Sequence, residues 1–228
     1  MSERDAILSR IRDGLRVPAP RPGAHDHRPL TSARNAAATA RQWLPMTGDS
    51  QEEWLALFAK NSVDLKTTLL TAPDIAGAHA LLAQLAAAEN WQRIATHEGA
   101  LTTAAASATG LPVMKIREGY DVSELERCDA GLTECDALIA QTGSVVLTAR
   151  SGGGRALSVL PPHHVVIARR EQLLPDLPAA FALLHERYGP GSWPSMVTLI
   201  TGPSRTGDIE RILILGAHGP KKLTIILI

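Results

Sequence analysis

The sequence predicts an open, mainly parallel α/β sheet with helices on both faces. Three observations carry that expectation. Short apolar runs recur along the chain, and most are continuous rather than alternating, as strands covered on both faces require. A helical period follows the first of these runs, so strand and helix succeed one another as in βαβ units. The 228 residues, 45% of them hydrophobic, are enough for one substantial core.

The chain opens on an amphipathic helix from Ser2 to Leu15, with Ile7, Leu8, Ile11 and Leu15 on one stripe. Pro18, Pro20, Pro22 and Pro29 then rule out a continuous helix. Residues 1–30 therefore read as a helix and a proline-rich connector, and residues 31–228 as the α/β domain. A second helix is expected over Asp49–Lys60, opened by Asp49 or Ser50 with Glu52 and Glu53 in its first turn. Thr67–Ala72 reads as a strand, and Pro73–Glu89 as a helix with Ile75, Ala78, Leu82 and Leu85 in register. Arg93–His97, Pro112–Ile116, Ser144–Ala149, His164–Arg169 and Met196–Thr201 supply further strands. Asp176 caps a helix in which Leu177, Phe181, Leu184 and Tyr188 recur, ended by Gly189-Pro190. Ile212–Leu215 suits a short helix after Asp208 or a strand, the helix being preferred. Leu223–Ile228 is a final strand ending in the core.

Composition narrows the function. Lys plus Arg equals Asp plus Glu, 23 against 23, so nothing draws the chain to nucleic acid or to an acidic membrane. Aromatic residues are 4% of the chain, too few for a base-stacking platform. Met1-Ser2-Glu3-Arg4-Asp5 lacks the apolar block of a signal peptide, and no run approaches a membrane span, so a cytoplasmic protein without membrane insertion is expected. Cys128 and Cys135 fit no disulfide framework or iron–sulfur spacing and read as small half-buried thiols.

Two strand-end loops carry the candidate chemistry. In Gly202-Pro203-Ser204-Arg205-Thr206-Gly207-Asp208, past the Met196–Thr201 strand, glycines free the backbone, Pro203 stiffens it, Arg205 offers a planar fork, and Ser204 and Thr206 offer hydroxyls. The same residues would also serve as a capped turn in which Asp208 starts a helix. Gly152, Gly153, Gly154 and Arg155 follow the Ser144–Ala149 strand and form a second candidate anion nest, or a plain connecting loop. Together they predict one anion pocket at the carboxyl edge of the sheet. Gln141-Thr142-Gly143 reads as a strand-to-strand bend beside it, and His218 as a turn residue able to join the pocket. His163 and His164 point to opposite faces of a strand, one toward the core and one toward a loop, so they share no metal, and no metal site is expected.

TGS with VVLTA, GGGRALSVLPPHHVVIAR, VTLITGPSRTGDIE and LGAHGPKK, in that order, resemble the LUD family from about Asp49 onward, most strongly after Gly131. The resemblance implies a fold similar to ribose-phosphate isomerases, coenzyme A transferases and formyltetrahydrofolate cyclo-ligases. It also implies a role in L-lactate oxidation to pyruvate beside iron–sulfur lactate utilization proteins, with the clusters in those partners; with the cysteine spacing and the strand-end loops, the expectation is an accessory or non-redox subunit that holds no cofactor and binds a small anionic metabolite. The family pattern carries Glu-Thr-Gly where this chain has Gln141-Thr142-Gly143. Glutamine cannot form an acyl anhydride or act as a carboxylate base, which argues against covalent catalysis from position 141. A stand-alone transferase-like or cyclo-ligase-like enzyme, and a metabolite-sensing module, are the alternatives.

Overall fold

The computed structural model describes residues 3–16, 45–189, 191–206, 214–216 and 218–228. The chain divides into two packing units, residues 1–44 and 45–228. In the first, helix α1 (Glu3–Arg16) forms where the amphipathic helix is expected, with Ile7 and Ile11 exposed. The proline-rich connector and the expected boundary after residue 30 lie outside the described residues.

The second unit begins with a helix set by its own cap. Ser50 Oγ accepts from the Glu53 N–H, and Glu53 reaches back to the Ser50 N–H, closing a capping box on α2 (Gln51–Leu65). The helix runs past the expected Lys60 and stops where Lys66 takes a left-handed φ of 65°.

Six strands form the central sheet: β1 (Thr68–Thr71), β2 (Ile94–Thr96), β3 (Val113–Lys115), β4 (Ala130–Thr133), β7 (His163–Ala168) and β12 (Lys222–Leu227). They lie in the order β1-β12-β7-β4-β2-β3 and every pairing is parallel. A second sheet, β8-β5-β6-β9, joins β5 (Ala137–Ile139), β6 (Ser144–Thr148), β8 (Leu173–Leu174) and β9 (Val197–Ile200). There β5 and β6 form a hairpin and β9 runs antiparallel to β6. The strand runs read at Ser144–Ala149 and Met196–Thr201 thus exist, but outside the parallel sheet.

Period-two burial explains the layers. Val165 and Ile167 face one side of the central sheet with Ile94, Leu132 and Ile226, against α3 (Ile75–Ala88) and α4 (Thr102–Ala108). Val166, Ala168, Leu223, Ile225 and Leu227 face the other side, covered by Phe58 of α2 and by Leu138, Val145 and Leu147 of the second sheet. Nearer β2 and β3 this side is covered by Leu125 of α5 (Val122–Glu126) and Leu157. Ile139 and Val146 turn outward from the second sheet onto Ala180, Leu184 and Tyr188 of α6 (Leu177–Tyr188). Helices therefore cover both faces, with the small sheet inserted on one of them.

Ile214–Leu215, for which a helix was preferred, is a strand, β11, paired antiparallel with β10 (Arg205–Thr206). The expected Asp208 cap lies outside the described residues. β4, β5, α4 and α5 carried no sequence signal strong enough to name. Three or four residues, or an alanine-rich stretch without a side-chain cap, give too little periodicity.

Candidate functional site

β7 brings two histidines side by side onto opposite faces. Both are buried, His163 at 4% and His164 at 1% exposure, so the expected loop-facing imidazole turns inward. Each ring is held by a threonine one strand away. His164 Nε2 lies 2.8 Å from Thr133 Oγ1, and His163 Nε2 lies 2.8 Å from Thr224 Oγ1. Each Nδ1 is buried and, among the described residues, has no hydrogen-bond partner. Desolvation holds His164 at a pKa of about 3, with His163 adding to the effect, so the ring is neutral.

His164 lines a cavity of about 310 Å³ between the central sheet and the inner side of β9. The polar lining comes from Arg155, Ser158, His164, Thr198, Thr201, Ser204 and His218, and the apolar lining from Val159, Met196, Ile200, Pro203, Pro220 and Leu223. Among the described residues, Arg155 is the one charged group of the lining, and its Nη2 donates to the Ser195 carbonyl at 2.9 Å. Ser204 is fixed through its backbone, its N–H donating to Pro220 O and its carbonyl accepting from Gly216 N, both at 2.9 Å. One guanidinium, hydroxyls, a neutral imidazole and aliphatic walls suit a small anion with an apolar part.

The placement departs from the expected carboxyl edge. Leu223 pairs with His164 near the amino ends of β12 and β7, so the cavity sits at that end of the central sheet. The reason is topological: β9 belongs to the small sheet, and antiparallel β6 and β9 send their following loops from opposite ends.

Of the sequence candidates, Gly202, Ser204, Arg155 and His218 line this one cavity. Gly202 has φ 86°, and a Cβ there would come within 2.8 Å of Leu65 O. Arg205 lies outside the lining and is exposed, its Nη2 3.4 Å from the Thr201 carbonyl of its own loop. Thr206 stands in β10. The glycine run is also outside the lining and has packing reasons. A Cβ on Gly152 would meet Leu147 Cδ2 at 2.4 Å, and one on Gly153 the His97 Cβ at 2.2 Å, while Gly154 takes φ 109°.

Gln141-Thr142-Gly143 forms the β5–β6 bend as expected, with Gly143 at φ 65°. It packs on α2, where Asn61 Nδ2 donates to the carbonyls of Ala140 (2.7 Å) and Gln141 (3.2 Å). Gln141 Nε2 donates to Pro45 O at 3.1 Å. The bend lies outside the cavity lining but adjoins it through Ser144 Oγ, 2.7 Å from Thr201 Oγ1.

The neighbouring carboxylates hold structure. Glu134 Oε1 accepts from the Leu101 N–H at 2.6 Å at the start of α4. Asp136 accepts from Ser151 Oγ, Arg187 Nη1 and Tyr188 OH at 2.6–2.7 Å. Burial alone would raise the Asp136 carboxyl, yet these donors hold it below its usual range. Cys128 and Cys135 are fully rather than half buried, in separate clusters, and burial pushes both thiols up. Among the described residues, no three His, Cys, Asp or Glu side chains gather as a metal site would require.

Sequence reasoning missed His164, Ser158 and Thr198. His-His at a strand start was visible, but not that a second sheet would hollow out a space over one imidazole.

Residues 47–228 match the family model of the LUD domain. "Lactate utilization protein C" of Geobacillus sp. (strain WCH70) is 37% identical over 109 residues, 47% of this chain and 45% of that protein. The protein of that name from Geobacillus kaustophilus (strain HTA426) is 35% identical over a segment of the same extent, so these matches span about half the relatives' length. The namesake from Geobacillus thermodenitrificans (strain NG80-2) is 29% identical over 83% of this chain and 84% of its own. A crystal structure of a DUF162 family protein from Deinococcus radiodurans shares the fold, with a TM-score of 0.58 at 23% identity over 79% of this chain and 99% of that one.

Proposed function

Since this chain belongs to the LUD-domain family, we propose that it is a non-redox component of an L-lactate utilization system and that the cavity between its two sheets binds a small organic carboxylate. The observation that carries the ligand reading is His164, 1% exposed, bonded on one side to Thr133, with its other ring nitrogen unpartnered in a residue that lines the cavity. An orphaned buried nitrogen costs roughly 1–3 kcal/mol, and a small turn of the ring toward the cavity on ligand binding would recover it. Arg155 supplies the charge for the carboxylate, Ser204 and Thr201 supply hydroxyls, and the Val159, Ile200 and Leu223 walls take the alkyl part.

The two electrons of lactate oxidation pass, in this proposal, to iron–sulfur partner proteins, and this chain binds the organic acid. Gln141 supports a non-covalent role, because its amide is engaged by Pro45 and position 141 lacks the carboxylate a transferase-type intermediate needs.

Calorimetric titration of L-lactate and pyruvate into the full chain tests the cavity. Arg155→Ala and His164→Gln should each weaken binding at least tenfold, and His164→Gln retains a group able to reach Thr133. Unchanged affinity in both variants overturns the site. Affinity purification from native cells grown on lactate tests the system: iron–sulfur proteins with lactate-dependent dye reduction should come with the chain. Recovery of an inactive, solitary chain overturns that part.

A further inference from the structure

The other histidine of the pair opens a second space. His163 lies on the opposite face of β7, its ring edge-on to Trp91 with centroids 5.1 Å apart. It lines a cavity of about 270 Å³ with Lys66, Thr68, Glu89, Lys221 and Lys222. This space touches the first only through a shared wall, Pro203 and Leu223.

Its charge is unbalanced. Among the described residues, three ammonium groups face one carboxylate, a net charge of +2. Glu89 is committed to Lys222, whose Nζ lies 2.6 and 2.7 Å from its two oxygens. Among the described residues, Lys66 and Lys221 have no carboxylate partner. Lys66 is held by the backbone, since it is the left-handed residue that ends α2. Beside these cations, His163 is 4% exposed and its Nδ1 has no partner.

We propose that this cleft is a second ligand site, separate from the inter-sheet cavity, and that it takes the phosphoryl group of a small metabolite. The cations decide the class. All are lysines, compact point charges suited to a phosphate, whereas the planar fork that grips a carboxylate at two points is found here only in the other cavity, on Arg155. A phosphate monoester carries −1.5 to −2 at neutral pH, which matches the net charge of the lining. Thr224 Oγ1 lies 2.8 Å from His163 Nε2 and holds the ring in the cleft wall, where its resonance reports a phosphate seated on the lysines. Desolvation keeps that ring neutral, with a pKa of about 4, so the cationic charge of the lining is that of the lysines.

The test is a titration of the full chain, carrying isotope-labelled histidine, with inorganic phosphate at pH 7.5 and constant ionic strength, followed by the ring resonances. Phosphate should move the His163 resonance saturably and leave His164 in place. Acetate at equal concentration should move His163 at least tenfold less. Lys66→Gln with Lys221→Gln should weaken the phosphate response at least tenfold while the amide spectrum stays that of the folded protein. No saturable movement of His163, an equal response to acetate, or a response undiminished in the double variant each overturns the proposal. Because lactate and pyruvate binding is read separately at Arg155 and His164, failure here leaves that reading intact, and the reverse holds as well.

Discussion

At the scale of single residues, burial keeps the two histidines of β7 in one protonation state. His163 and His164 are neutral when folded because burial disfavours their charged form, at pKa values of about 4 and 3. In the unfolded chain each titrates near 6.5, so below that pH the unfolded state binds protons that the folded state refuses. Their contribution is whole above pH 6.5 and is lost progressively as the pH falls toward 4. His164 alone accounts for about 2–3 kcal/mol of lost stability at pH 4.5. The melting temperature should drop between pH 7 and pH 4.5, and His164→Gln should flatten that drop; an equally steep variant would put the proton uptake elsewhere. Asp136 is held charged rather than neutral, because its donors lower its pKa, and its contribution too is lost as the pH falls. Asp136→Ala leaves Ser151, Tyr188 and Arg187 without their common acceptor, and should cost about 3–5 kcal/mol in denaturant unfolding. A loss below 1 kcal/mol would mean that water or Thr148 replaces the carboxylate.

At the scale of elements, close approach rather than propensity fixes the key segments. Gly131 sits in β4, where a Cβ would lie 2.3 Å from the Leu157 carbonyl and 3.1 Å from Pro161. Gly131→Ala must push the 157–161 segment away, at about 1–3 kcal/mol. Because Ser158 and Val159 of that segment line the inter-sheet cavity, the variant should also weaken carboxylate binding. Gly110→Ala is the control: φ is 70° there but space is open, so about 1–2 kcal/mol of strain is expected with binding unchanged. Paired unfolding and calorimetric curves separate the two, and equal binding loss in both would remove the link between β4 and the cavity wall. The same logic covers Gly152 and Gly153, whose contacts with Leu147 and His97 account for glycines that otherwise resemble an anion nest.

At the scale of the whole molecule, the parallel sheet was legible because β1, β2, β3, β7 and β12 are compact apolar runs and Asp176 and Ser50 are clean caps. The partition into two sheets was not legible, since a run such as Ser144–Ala149 has the same composition whether its neighbours are parallel or antiparallel. That partition moved the pocket to the opposite end of the central sheet and brought Arg155, Ser204 and His218 to His164, residues 9 to 54 positions away from it in sequence. Strand order has one further effect, on how the protein is made. β12, residues 222–227, lies between β1 and β7 and supplies the parallel partner of both. Until those residues leave the ribosome, β1 has no neighbour, and β7, though paired with β4, presents an open edge. A stalled chain ending at Lys221 should be cut readily by protease and one extended through residue 228 should resist, whereas equal resistance would mean the sheet closes without its inner strand. The sheet therefore closes by insertion in its middle, and a nascent-chain chaperone has its greatest value just before β12 appears.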